Sequence, residues 1–327
     1  MIRNRFLFFF LVFCAFTAIG VGALGGLIHH IGQQKSSADA SESLYFKSGQ
    51  GMVRASYLAY NAGAVKAPWH FQLIASIKGV SRRLQAGEYA LEPSLTLAAL
   101  VDRMASGQVM TRTLVVPEGF SNLQILDMME KSATLNMDGI MLGAEGSYAP
   151  DSYSYHRGEQ ASALLKRMAD KQQAILLALW QQRPENFYLE SMDQVLTLAS
   201  IIEKETAIPC ERSIIAAVFI NRLKKGMRLQ SDPTIIYGLT GGRKLDRPLS
   251  RRDIREKTAY NTYRINGLPP GPIANPGEDA IRAVFEPAMV DYLYFVADGT
   301  GGHIFAKRYK DHLENVRRWR KIEASGK

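Results

Sequence analysis

Two cysteines occur in 327 residues, and one of them, Cys14, lies inside an apolar run. Only Cys210 remains in the body of the chain, so no intramolecular disulfide can form there. Six scattered histidines and one outer cysteine show no ligand spacing, so neither a metal site nor a cofactor is expected. Charge is absent from Phe6 to Ile28, "FLFFFLVFCAFTAIGVGALGGLI", a run of 23 residues. At a helical rise of about 1.5 Å per residue such a run crosses a hydrocarbon core of about 30 Å. No acid precedes it, only Arg3 and Arg5, so the positive-inside bias keeps the N-terminus cytoplasmic and everything after about residue 30 outside. A cleavable signal peptide is the competing reading, since "GVGALGG" is small enough for a peptidase. The apolar region of such a peptide usually runs about 7 to 15 residues, which favours the anchor.

The remainder is globular in composition: 46% of the chain is hydrophobic, enough for one or two domains with cores. The formal charge is +9, or +7 without the two arginines of the leader, and such a balance suits an anionic partner. Outside the cytoplasm nucleic acid is a poor candidate; anionic headgroups or an acidic wall polymer fit better, and a merely solubilising surface is the bland alternative.

Residues 1–30 read as cytoplasmic tip and anchor, and 31–43 as a linker, because "GQQKSSADASES" (Gly32 to Ser43) is small and polar and would let the domain stand off the membrane. Residues 44–150 read as a small α+β module. Its strand-like "TRTLVVPEG" (Thr111 to Gly119) contrasts with helix-like "SLTLAALVDRMASG", where Ser94 is the expected N-cap and Leu97, Leu100, Val101 and Met104 share a face before Gly107. The turn-rich "YAPDSYSY" (Tyr148 to Tyr155) marks the expected boundary. Residues 151–327 then form a mainly helical domain: a helix over 160–182, the helix "LTLASIIEKETAIP" closed by Pro209, a helix from Pro209 to Lys225, a Gly- and Pro-rich region, and a hairpin at "YLYFVADGTGGHIFAK". The last helix is basic, "LENVRRWRK", and reads as solvated, with contact with membrane or wall polymer as the alternative. The fold class is α+β with an N-terminal transmembrane helix.

Chemistry centres on two glutamates. The helical period gives Glu205 an aliphatic stripe of Leu198, Ile201 and Ile202, and gives Glu203 the smaller, more polar Leu196, Ala199 and Ser200. Glu205 is therefore the one turned toward apolar surroundings, where desolvation raises a carboxyl pKa and preserves the protonated state of a general acid. A frayed, charged helix end is the structural alternative. The following helix is apolar on more than one face, so Asn221 needs hydrogen-bond partners inside, whether in substrate or in a loop it fixes. The segments "MRLQSDPTIIYGL" and "TAYNTYRINGLPPGPIANPG" then supply phenol, amide and carboxyl groups on a wall stiffened by proline, of the kind that binds sugar rings, or equally serves as a packing lid.

In this order, "ASIIEKETA", "AAVFINRLKKGMRLQSDPTIIYGL", "TAYNTY", "NGLPPGPIANPG" and "YLYFVADGTGGHIF" resemble the endolytic murein transglycosylase, or YceG-like, family. The likeness is dense from about 195 to 310 and thins between Asp138 and Glu190; "LQAGEYAL" (Leu84 to Leu91) marks the early module as LysM-like. The resemblance implies a membrane-bound lyase acting on peptidoglycan strands, with the wall-synthesis machinery as a further partner. It would cleave the MurNAc-GlcNAc β-1,4 bond with a 1,6-anhydroMurNAc product, and would terminate nascent strands. The family's catalytic glutamate falls on Glu205. The candidates for substrate contact are Glu203, Asn221, Gln230, Asp232, Tyr237, Tyr260, Asn261, Tyr263 and Asn275. Two competing readings stand beside this: a non-catalytic wall-binding protein, and a hydrolytic muramidase with a second carboxylate, for which Asp232, Asp253 and Asp151 are the candidates.

Overall fold

The computed structural model describes residues 2–38 and 42–324, with side chains from residue 8 onward. The chain divides into two compact units, residues 1–112 and 113–327.

The first unit opens with α1 (Ile2–Gly32), within which Phe8–Gly32 is long and apolar enough to cross a membrane, with a mean hydropathy of 2.2. Then follow β1 (Ser43–Phe46), α2 (Met52–Asn61), α3 (Pro68–Ile77), β2 (Gly87–Ala90) and α4 (Leu97–Ser106). β1 and β2 pair antiparallel, Ser43 opposite Ala90 and Phe46 opposite Gly87. Their inward Leu44, Phe46 and Tyr89 pack with Phe71 of α3 and Leu97, Leu100 and Met104 of α4. The α4 stripe is buried as its spacing requires, but the N-cap is Thr96 rather than Ser94: the Thr96 hydroxyl accepts the Ala99 N–H, while Ser94 lies in the preceding turn. Gly107 ends the helix at φ 72°, a left-handed conformation that glycine adopts without penalty. The expected tether is not a free spacer over its first half. Ser36 and Ser37 donate their backbone N–H groups to Leu95 and Gly63, and Ile31 and Ala38 are buried; residues 39–41 lie outside the described residues.

The second unit begins at β3 (Arg112–Val115), whose first residue closes unit 1, and continues through α5 (Asn122–Lys131), β4 (Ser152–Tyr155) and α6 (Ala161–Gln181). β3 pairs with β4. The segment expected to separate two domains thus lies within this unit, and Tyr148, Tyr153 and Tyr155 are buried there against Ile125, Leu164 and Met168. Turn-forming residues and tyrosines make an edge strand here because the phenol rings have a core to enter.

α7 (Met192–Glu205) and α8 (Pro209–Lys224) are the centre of the unit, followed by α9 (Asp232–Thr240), α10 (Arg251–Arg255), α11 (Glu278–Phe285), the antiparallel hairpin β5 (Tyr294–Ala297) and β6 (His303–Ala306), and α12 (Tyr309–Ala324). Ser191 caps α7 by accepting the Gln194 N–H, and Pro209 at the first turn of α8 prevents the two helices from fusing. α7 packs on α8, α9 and α11. Every residue from Val195 to Ile202 is buried, so α7 has no solvent face along those two turns. α12 buries none of its residues, consistent with a solvated helix.

Candidate active site

Glu205 ends the buried helix α7, and Thr206 leaves it in extended conformation at φ −144°. Across from it lies the turn before α9. Gln230 adopts a left-handed backbone at φ 53°, uncommon for a residue with a side chain, and this turn aims Ser231 at the glutamate. The Ser231 hydroxyl donates to Glu205 Oε1 at 2.5 Å. Ser231 is fixed in turn, because its N–H donates to Thr262 Oγ1 at 2.9 Å and its carbonyl accepts from Thr234 Oγ1 at 2.6 Å. Burial pushes the Glu205 carboxyl up to about 7, and the negative charge of Asp232 adds to that; the Ser231 hydroxyl, His303 and Arg222 pull it back.

The groups around it are themselves held. Asp232, the first residue of α9, is exposed and accepts the Tyr263 hydroxyl at 2.7 Å; burial and then Asp232 raise the pKa of that phenol. Arg222 is buried, its Nε donating to the Leu293 carbonyl and one Nη to the Leu229 carbonyl, both at 2.6 Å, and its burial lowers its pKa. Glu211 accepts the Thr206 hydroxyl at 3.1 Å and the His303 N–H at 2.8 Å, and its Oε2 lies 2.7 Å from His303 Nδ1. Burial works against the charge on Glu211, but these partners hold its pKa below the usual carboxylate range. The Glu211 carboxylate thereby ties the residue after Glu205, the start of α8 and the β6 strand to one point.

Glu203 is buried too, and burial raises its pKa. Its partners differ: Oε2 accepts the Gly277 N–H at 2.9 Å, at the start of α11, and Oε1 lies 3.4 Å from Arg212. The two helical faces do not by themselves separate the glutamates, since Leu196, Ala199 and Ser200 are buried like the stripe beside Glu205. What distinguishes them is that Glu203 has a cation and a backbone donor, whereas Glu205 has a hydroxyl.

The other expected residues divide in the same way. Asp232 and Tyr263 lie close enough to act on Glu205, and Gln230 contributes the left-handed backbone that precedes Ser231. Tyr237 and Tyr260 lie together, ring centroids 4.8 Å apart, and the Tyr237 hydroxyl donates to Glu145 at 3.2 Å. Three amides serve the scaffold instead. Asn221 donates to the Val290 and Tyr292 carbonyls; Asn261, fully buried, donates to the Asp253, Ile254 and Glu256 carbonyls at the end of α10. Asn275, also fully buried, donates to the Phe120 carbonyl and Asn122 and accepts the Tyr148 N–H. Of the three carboxylates considered as a second acid, Asp253 is taken by Arg247 and Ser250, which hold it well below the usual range, and Asp151 by Lys171. Asp232 alone of the three acts electrostatically on Glu205.

Sequence reasoning passed over Ser231, Arg222, Glu211 and His303. Ser231 stands in "LQSDP" and was available to it; the others look like ordinary charged positions until the fold brings them to one place. Among the described residues no group of three or more His, Cys, Asp or Glu side chains is placed to hold a metal ion.

The chain is similar to known proteins over most of its length. A family model described as the YceG-like family matches residues 44–318. An endolytic murein transglycosylase of Bacillus subtilis (strain 168) is 30% identical over 280 residues, covering 76% of this chain and 76% of that protein. One from Streptococcus pneumoniae (strain ATCC BAA-255 / R6) is 29% identical over 306 residues, covering 78% of this chain and 54% of its own length. The crystal structure of a yceG-like protein from Listeria monocytogenes superposes with a TM-score of 0.54 at 27% identity, covering 84% of this chain and 98% of that one.

Proposed function

We infer the function from the premise that this chain belongs to the YceG-like family: it is a lytic murein transglycosylase that cleaves the MurNAc-GlcNAc β-1,4 bond within peptidoglycan strands and leaves a 1,6-anhydroMurNAc end. The observation that carries this reading is Glu205, a carboxyl pushed up to about 7 and hydrogen-bonded by Ser231. A pKa there supplies both forms near neutrality, as a residue serving first as acid and then as base requires.

With Ser231 donating to Oε1, the proton of Glu205 resides on Oε2 and passes to the glycosidic oxygen as the bond to MurNAc C1 breaks. The C6 hydroxyl of the same MurNAc then attacks C1, and its proton returns to Glu205. The ring closes as a 1,6-anhydride, the GlcNAc leaves with a free hydroxyl, and the carboxyl is restored. Water is not consumed, and no cofactor is required. Arg222, buried beside the site, stabilises the carboxylate formed midway.

Asp232 supports a second reading. A carboxylate close enough to influence Glu205 is where a hydrolase would hold a water or stabilise C1, although the Tyr263 hydroxyl occupies one of its oxygens. Mass spectrometry of digested strands separates the two. The lyase product is one water lighter than the hydrolytic one, and incorporation of labelled solvent oxygen at the new end would reject the lyase.

We assign the catalytic work to the second unit and strand binding to the LysM-like module. The Phe8–Gly32 helix is a single-pass anchor in the cell inner membrane, with the chain beyond it outside the cytoplasm. There the enzyme would meet nascent strands beside the synthesis machinery and terminate them.

A further inference from the structure

Beside Asp232 a cavity of about 560 Å³ opens between the N-terminal end of α5, α9 and the loop leading to α10, within the size range of small-ligand sites. Its cations come from separate segments: Lys204, next to Glu205 on α7, and Arg243, Lys244 and Arg247 on the loop. Arg243 is paired with Asp127 at 3.0 Å and Arg247 with Asp253 at 2.6 Å. Lys204 gives a hydrogen bond to the Gly119 carbonyl at 3.1 Å, and Lys244 has no partner among the described residues. Neither lysine forms a salt bridge among the described residues, although the charge of Lys204 also acts on Glu203 and Asp232 lines the same wall. Between the cations the wall is aliphatic, formed by Ile236, Leu245 and Ile273.

This is a poor sugar subsite. Its aromatic side chain, Tyr237, is tilted 55° against Tyr260, and its hydroxyl is committed to Glu145, so neither stacking nor the phenol is fully available to a pyranose. It is also a poor diphosphate site, because an aliphatic wall would be left uncovered. Small methyl groups alternating with carboxylates match both features, and murein carries such a group: the short stem peptide, built from alanine and an acidic residue, on the lactyl ether of each MurNAc.

We propose that this cavity binds the stem peptide of the MurNAc beside the scissile bond, with Lys244 and Lys204 receiving its carboxylates, so that the enzyme selects strands that still carry their peptides. The proposal rests on the transglycosylase reading and adds the substituent that reading leaves open. Asp232, whose charge acts on Glu205, and Lys204, the neighbour of Glu205 in sequence, both line the cavity, which would put the peptide beside the reacting sugar rather than at a remote exosite.

Two strand preparations test it with the full chain in detergent: one with peptides intact, one stripped by an amidase, which leaves the lactyl carboxylate behind. Wild type should cut the intact strands with a kcat/KM at least roughly tenfold higher, the scale of one lost charge-assisted hydrogen bond. Lys244→Ala should reduce that preference severalfold. Equal rates on both preparations overturn the proposal, and the cavity would then read the lactyl carboxylate or a sugar. Calorimetric titration of free stem peptide into Glu205→Gln decides the matter independently of cleavage. Binding that is weakened by adding Lys244→Ala supports the site, and no binding refutes it; failure to cut either preparation while the peptide still binds counts against the transglycosylase reading alone.

Discussion

Glu205 and Glu203 differ by two positions and by their partners, and those partners give opposite expectations. Glu205→Gln keeps the volume and can still accept the Ser231 hydroxyl, but it removes the transferable proton. Turnover should fall by about 10²- to 10⁴-fold. Its stability should respond in the other direction. A carboxyl at about 7 in the folded state and 4.5 unfolded binds more protons when folded throughout that interval, so wild-type stability is undiminished below about pH 4.5 and falls as pH rises through 7. The loss is at most roughly 3 kcal/mol, and the glutamine variant escapes it. The melting temperature of Glu205→Gln relative to wild type should therefore rise between pH 5 and pH 8; a pH-independent difference would mean that Glu205 is not desolvated. Glu203→Gln should retain most of the turnover, since its oxygens serve Gly277 and Arg212 rather than substrate. A dead Glu203→Gln beside an active Glu205→Gln would reverse the assignment.

At the scale of elements, Arg212 of α8 gathers Glu203 of α7, Asp279 of α11 and Glu118 before α5, at 3.4, 3.2 and 3.0 Å. Its guanidinium is nearly buried and its Nε is unsatisfied, so the cation is held there by its carboxylates rather than by solvent. Arg212→Leu would leave Glu203 buried against apolar helices with a single backbone donor. Breaking a buried pair in this way destabilises by about 3 to 5 kcal/mol. Urea denaturation should show that loss, and adding Glu203→Leu should restore a large part of it. Single and double variants of equal stability would mean that Arg212 and Glu203 do not act as a pair. The α7 helix has no freedom to adjust, because its Val195–Ile202 segment is packed all round; a shift of its C-terminal end would carry Glu205 with it.

For the whole molecule, the N-terminal apolar helix, an anchor under the proposed function, would set where the chemistry occurs. The described part of the Phe8–Gly32 helix is exposed along its apolar length, which water would not tolerate and a bilayer would. Fractionation should recover the protein at full length in membranes. A mature form beginning near residue 25 would replace the anchor with a signal peptide. The net charge of +9 belongs to the same scale, since it favours approach to an anionic wall and surface without selecting a site on either.

The sequence by itself determined several of the elements and the catalytic candidate. Apolar period placed α4, α7 and α8 to within a few residues, proline and glycine placed their ends, and the aliphatic stripe of Leu198, Ile201 and Ile202 pointed to Glu205, because these depend on neighbours within a turn or two. Capping was less legible: Thr96 and Ser94 are equivalent by type, and the choice follows from Leu95 entering the core. Only the tertiary structure decided what each polar group does. Asn221, Asn261 and Asn275 read like ligands for sugar, yet their amides donate to the protein's own backbone carbonyls, and Asn261 and Asn275 are fully buried there. Ser231 and His303 reach Glu205 from 26 and 98 positions along the chain. A pattern within a few turns of helix carries burial, but it does not carry the identity of a partner, and it is the partner that distinguishes the two buried glutamates: a cation and a backbone N–H for Glu203, a hydroxyl for Glu205.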